Sequence, residues 1–217
     1  MEDSYRHKGM RKQMVEELRQ KGITDEAVLN AMLNVPRHYF LSSAFLEFAY
    51  QNKAFQIGAG QTISHPFTVA FQTQLLDLSP GEKVLEIGTG SGFQTCILSE
   101  LKMKVFSIER QKSLFDKTKL LIPKLGYRPK LFYGDGYKGQ PAFAPFDKIL
   151  VTCGAPSVPP ALVQQLKLGG KLVIPVGEGG IQIMTEVLRI SETEATVKEH
   201  GNFSFVPMLE DRQAGKD

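Results

Sequence analysis

The chain has 217 residues, 42% apolar and 23% charged, with a net charge of +3 at pH 7. These values suit one soluble globular domain with a substantial core, and the net charge is too small to argue for nucleic acid. No basic run is interleaved with aromatics to suggest nucleic acid, no apolar run is long enough to span a membrane, and the start, Met1-Glu2-Asp3-Ser4, has no signal-peptide character.

In chain order, residues 4–21 read as an amphipathic helix with Met10, Met14, Val15 and Leu18 on one face. Thr24 is expected to cap a second helix running through Val35, with Asp25 and Glu26 in its first turn and Pro36 ending it. Residues 42–50 read as a further short helix. In Gly58-Ala59-Gly60-Gln61-Thr62-Ile63-Ser64-His65-Pro66, proline suits the first position of a helix over 66–78. Ser64 or His65 would then be its cap. Residue chemistry alone favours capping for Ser64, although a hydroxyl beside a helix N-terminus is also a good carboxylate site.

A strand over 83–87 then runs into Gly88-Thr89-Gly90-Ser91-Gly92 and a helix over 93–102. Strand, glycine turn and helix in that order build a nucleotide-type pocket at a helix N-terminus. A dinucleotide fingerprint needs G-x-G-x-x-G, but here the third glycine comes one residue early. The next strand, 104–109, ends in Glu109, 21 residues after Gly88. An acid there suits hydrogen bonds to ribose hydroxyls, the alternative being a solvated charge pairing with Arg110 or Lys112. After a helix over 111–125, strand 130–133 leads into Gly134-Asp135-Gly136, read as an adenine contact with a plain turn as the alternative.

Strand 147–152, helix 159–167, strand 170–176 and strands near 182–190, 194–199 and 203–208 complete the pattern. The fold class is α/β: a doubly wound sheet with an N-terminal helical cap and a β-rich C-terminal edge. One domain is expected over 1–217: cap and substrate loop to residue 65, cofactor-binding core over 66–177, and a β edge and tail from 178. Cys96 and Cys153 read as reduced packing residues, which points to the cytoplasm. His7, His38, His65 and His200 show no ligand spacing, so no metal is expected.

The E-x-G-x-G-x-G form resembles motif I of class I S-adenosylmethionine-dependent methyltransferases, which implies a Rossmann-like, doubly wound, mostly parallel seven-stranded sheet with antiparallel C-terminal strands. Gly58-x-Gly60-Gln61-Thr62-Ile63-Ser64-x-Pro66-x-x-Val69-Ala70 and Val84-Leu85-Glu86-Ile87-Gly88-Thr89-Gly90-Ser91-Gly92 together resemble the protein-L-isoaspartate O-methyltransferase family. Val35-Pro36-Arg37-His38-Tyr39-Phe40, Gln165-Leu166-Lys167-Leu168-Gly169-Gly170 and Phe205-Val206-Pro207-Met208-Leu209 extend the resemblance over roughly residues 8–209. It departs from a common family form at Phe93, where tyrosine is frequent, and at Cys153-Gly154, where Ala-Ala is frequent.

The resemblance implies methyl transfer from S-adenosylmethionine to the α-carboxyl of L-isoaspartyl residues in damaged proteins and peptides, with S-adenosylhomocysteine as the other product. It implies Ser64 as the catalytic residue. It places the cofactor on Thr62, Ile63, Glu86, Gly88, Thr89, Gly90, Ser91, Gly92, Glu109, Arg110, Gly134, Asp135, Gly136 and Thr152. Peptide is expected at Ser64, His65 and Val206, and the enzyme is expected to act as a monomer. An α-carboxyl with a pKa of about 3.3–3.7 is already ionised at neutral pH. No base is therefore required, and His65, Arg37 and His38 read as structural. The rival readings are a small-molecule methyltransferase and a non-catalytic cofactor-binding subunit.

Overall fold

A computed structural model describes residues 2–213. Helices α1 (Tyr5–Gln20) and α2 (Glu26–Asn34) form the cap, followed by short 3-10 turns at Arg37–Phe40 and Ser43–Phe48. A hairpin of β1 (Phe55–Gly58) and β2 (Gln61–Ile63) leads to α3 (Pro66–Leu75). The core continues through β3 (Lys83–Ile87), α4 (Phe93–Glu100), β4 (Lys104–Glu109), α5 (Lys112–Lys124), β5 (Lys130–Tyr133) and β6 (Phe146–Val151). It closes with α6 (Pro160–Gln164), β7 (Leu166–Val176), β8 (Gln182–Arg189) and β9 (Ala195–Phe203).

The seven strands lie in the order β5-β4-β3-β6-β7-β8-β9, parallel through β7 and antiparallel at β8 and β9. Parallel strands sandwiched between helices read as apolar runs, as Val84, Leu85, Ile87 and Ile149, Leu150, Val151 do, all almost fully buried. On one face, Met14, Leu18, Leu29 and Met32 of the cap pack with Val69, Ala70, Phe93 and Ile97. Chain order reverses between β3 and β6, and a crevice opens there at the C-terminal ends of the strands. Among the described residues, no helix is long and apolar enough to cross a membrane.

Several boundaries differ from the sequence reading. Asp25, not Thr24, caps α2: its carboxylate accepts from the amides of Ala27 and Val28, while the Thr24 amide donates to Gln74 Oε1. A carboxylate is the stronger acceptor for a helix N-terminus. Residues 43–48 form 3-10 turns, and the hairpin β1–β2 was not read at all. Its strands are only 4 and 3 residues long, too short to show a period of two. The helix read over 159–167 stops at Gln164, because Leu166 already pairs with Phe146.

One strand, β9, replaces the two read over 194–199 and 203–208. Residues beyond it leave the sheet and cross the C-terminal ends of the strands. The Gly154 amide donates to Val206 O (2.9 Å), the Met208 amide to Gly154 O (2.7 Å), and Gln213 exchanges backbone bonds with Arg110 and Lys112. Pro207 has no N–H for a further ladder bond, so this crossing is pinned only at intervals.

Gly154 explains one departure from the common family form. A Cβ there would lie 2.8 Å from Gln182 Cδ. Gln182 is 2% exposed, and its amide is fixed by Gly179 O and the Phe205 amide. Gly154→Ala is expected to destabilise the fold by about 1–3 kcal/mol through overpacking. Adding Gln182→Ala should recover part of that loss. Urea unfolding of the two single variants and the double variant measures the coupling, and strict additivity would contradict it.

Candidate active site

The crevice floor is the turn between β3 and α4. The amides of Gly88 and Thr89 both donate to Ile108 O (2.9 and 3.2 Å), and the Gly90 amide donates to Glu109 Oε2 (2.8 Å). Thr152, just after β6, donates its hydroxyl to the carbonyls of Ile87 and Gly88 (3.0 and 2.7 Å). Gly88 has φ +95°, and a Cβ there would lie 2.6 Å from Thr152 Oγ1. The early third glycine has a packing cause: Gly92 has φ +86°, and a Cβ would come within 2.9 Å of Ile122 on α5.

Glu109, 4% exposed, ends β4 at the crevice wall. Its Oε1 accepts from the Gln111 amide (2.7 Å) while Oε2 accepts from Gly90. Burial raises its pKa and these backbone donors oppose the rise. It makes none of the side-chain pairs with Arg110 or Lys112 considered from sequence; Lys112 pairs instead with Asp116. Arg110 lines the crevice with its guanidinium held by the carbonyls of Glu210 and Asp211.

The crevice encloses about 850 Å³, open solvent included, with one side walled by the glycine turn and the other by β2 and the crossing segment. Of the expected cofactor residues, Thr62, Ile63, Gly88, Thr89, Gly90, Ser91, Glu109, Arg110, Gly136 and Thr152 line it. Glu86, Gly92, Gly134 and Asp135 do not. Asp135 accepts from the Tyr137 amide (2.9 Å) and caps the turn that presents Gly136. Sequence reading missed Gln61, Gln72 and Gln94, which enter from β2, α3 and α4, and Met208 and Leu209 from the crossing segment. The Gln61 and Met208-Leu209 stretches did stand out as motif positions, but nothing in the sequence set their direction.

Ser64 lies between β2 and α3, lining both this crevice and an adjoining recess formed with His65, Thr68, Ser204, Phe205 and Val206. Its capping role does not hold. His65 occupies the cap position without a side-chain bond, and Asn52 Oδ1 accepts from the Phe67 amide instead (3.0 Å). Among the described residues the Ser64 hydroxyl has no hydrogen-bond partner, while its carbonyl accepts from Arg37 (2.9 Å). Burial and the charge of Arg37 lower the His65 pKa, leaving the ring neutral at pH 7.

Asp3, His7 and His38 bring donor atoms within 4.8 Å of one another, although their spacing gave no sign of it. Asp3 is held by Arg11, and His7 bonds Ser4. Arg11 donates to the Tyr50 hydroxyl, which leaves that hydroxyl to donate to His38 Nδ1 (2.7 Å). The rings of His7 and His38 stack at 3.9 Å with a 19° tilt, so one ion cannot lie in both ring planes. The cluster staples the cap.

The protein-L-isoaspartate(D-aspartate) O-methyltransferase family model matches residues 9–213. A protein-L-isoaspartate O-methyltransferase of Flavobacterium psychrophilum is 59% identical over 213 residues, covering 98% of this chain and 100% of its own. That of Christiangramia forsetii is equally similar over the same shares. A solved protein-L-isoaspartate O-methyltransferase superposes with a TM-score of 0.83 at 27% identity, over 91% of this chain and 65% of the other. A Plasmodium falciparum structure described as a putative member, in complex with S-adenosyl-L-homocysteine, gives 0.80 at 27% identity over 93% and 99%.

Glu86 supports the turn from beneath. It is fully buried, and its Oε2 accepts from Thr95 (2.5 Å) and from Ser107 (2.6 Å), which in turn bonds the Thr89 hydroxyl (2.6 Å). Its Oε1 has no partner among the described residues, and burial pushes its pKa up to about 7. A carboxyl raised in the folded state stabilises it fully below the unfolded value of about 4.3, and that contribution is lost as pH rises through 7. Glu86→Gln does not titrate. Its stability relative to the parent should therefore rise by roughly 2–3 kcal/mol between about pH 5 and pH 9. Urea unfolding across that range checks this, and a pH-independent difference would contradict it.

Proposed function

The chain belongs to the protein-L-isoaspartate O-methyltransferase family, and on that premise we propose how the crevice performs the family's reaction. The enzyme transfers the methyl group of S-adenosylmethionine to the free α-carboxyl of L-isoaspartyl residues in damaged proteins and peptides. The products are the methyl ester and S-adenosylhomocysteine. The ester can close to a succinimide that reopens partly as normal aspartyl, so the activity is protein repair.

S-adenosylmethionine supplies an electrophilic sulfonium methyl when bound. The crevice suits it. Glu109 retains lone pairs on both oxygens for ribose hydroxyls, and the side-chain-free Gly88 and Gly90 allow close approach of a ligand to the backbone. Thr89, Ser91 and Arg110 complete that wall, Thr62, Ile63 and Thr152 face it, and Gly92 supports the turn from behind by packing on Ile122. Gly136, set by Gly134 and the Asp135 cap, borders the adenine region. Glu86 acts from below, through Ser107 and Thr89.

The observation that carries the reading is the unengaged Ser64 hydroxyl at the junction of crevice and recess. It donates to one oxygen of the isoaspartyl carboxylate and leaves the other free to attack. The carboxylate is already ionised, so no group on the protein has a proton to remove. His65 is neutral and shapes the recess. Peptide lies along Val206 and Phe205, recognised mainly through its backbone, which suits damage sites of varied sequence. What remains for the protein is alignment and partial removal of water, which can supply on the order of 7–11 kcal/mol.

With labelled S-adenosylmethionine, base-labile methyl ester should form on an isoaspartyl peptide and not on its aspartyl counterpart. A small-molecule enzyme or a non-catalytic subunit would form none. Ser64→Ala should lower kcat about 10–100-fold, the cost of one hydrogen bond to a charged group, with S-adenosylhomocysteine affinity unchanged. Equal loss of both, or no kinetic change, would remove Ser64 from the role.

A further inference from the structure

Arg37 carries a charge that the fold leaves unpaired. It is fully buried in the turn after α2. Nε donates to Ala49 O (2.8 Å), one terminal nitrogen to Ser64 O (2.9 Å) and the other to Lys53 O (2.9 Å). Its guanidinium lies 5.3 Å from the Phe93 ring centroid. Among the described residues no carboxylate comes within ion-pair reach of it. Burial lowers its pKa to about 9, so it remains charged at pH 7. The ionisable groups beside it are Tyr50, whose pKa burial raises, and His65, whose pKa burial and Arg37 lower; both are neutral. Arg11 in the same cap shows the contrast, with Asp3 at 2.9 Å.

A buried cation without a counter-ion is expensive, and tethering three carbonyls does not require a charge. The anion that the reaction brings to this place is the isoaspartyl carboxylate. Arg37 is fully buried and holds the backbone carbonyl of Ser64, the residue that lines both crevice and recess. We infer that Arg37 is a positioning residue whose buried charge selects the ionised carboxylate at Ser64 and loses its hold once that group becomes a neutral ester. The same charge thereby favours substrate entry and product release. This rests on Ser64 as the carboxylate anchor.

The test compares an isoaspartyl peptide with the same peptide carrying an α-carboxamide, each titrated into enzyme saturated with S-adenosylhomocysteine. The parent should prefer the carboxylate about tenfold or more, the size expected for one opposite charge several ångströms away in a partly dry site. Arg37→Lys should keep most of that ratio even if both peptides bind less well. Arg37→Met should reduce it to within about twofold while S-adenosylhomocysteine affinity is retained. A purely structural Arg37 would weaken both peptides equally, and an unchanged ratio in Arg37→Met overturns the inference.

Should Arg37→Met not fold, the parent at low and high salt decides. A buried charge is little screened, so the ratio should persist at about 0.5 M salt. Its collapse would assign the preference to exposed cations such as Arg110 and overturn the inference. Failure of the Ser64 assignment shows separately, as parental rates and peptide affinities in Ser64→Ala.

Discussion

The glycine turn is held from both neighbouring strands, and the rest of the site depends on that grip. Ile108 O and the Glu109 carboxylate take the amides of Gly88, Thr89 and Gly90 from one side, while the Thr152 hydroxyl takes the carbonyls of Ile87 and Gly88 from the other. A five-residue turn with three positive-φ glycines would otherwise sample many conformations. Parallel pairing of β3 with both β4 and β6 brings these partners into register. The topological switch point is thus where the backbone is most constrained, as well as where a crevice must open.

Two layers from outside the sheet complete the crevice. The cap reaches it through Arg37, which ties the loop before β1 to Ser64. The crossing segment reaches it through Gly154, which binds Val206 and Met208, and through Arg110, which binds the tail. Crevice wall, Ser64 and the adjoining recess are therefore fixed by three separate parts of the chain. The chemistry fits such a site: the nucleophile arrives ionised and the electrophile arrives activated, so geometry is the main contribution left to the protein.

Much of this was legible in the sequence. Glycine spacing and the acid at the end of the second core strand pointed to a nucleotide-type ligand, because each pairs a local backbone requirement with a definite chemistry. The reaction came instead from the family resemblance that the Gln-Thr-Ile-Ser-His-Pro element carries. Long-range partners were not legible. Glu86 and Asp135 looked like ligand contacts, but tertiary packing put one beneath the turn and made the other a cap. Ser64 looked like a cap until Asn52, remote in sequence, took that task. The hairpin was too short to carry a period, and the crossing segment alternates like a strand while pairing only at isolated points. Arg37 read as structural, and its bonds to three carbonyls agree with that; its lack of a partnering acid is a property of three dimensions.

The most direct test of Ser64 as the carboxylate anchor is a crystal structure of the enzyme with S-adenosylhomocysteine and an isoaspartyl peptide. The expected result is one oxygen of the free carboxylate within about 2.6–3.2 Å of Ser64 Oγ, with the other facing the cofactor sulfur. A carboxylate seated on Arg110, with the Ser64 hydroxyl turned to a backbone carbonyl, would contradict it.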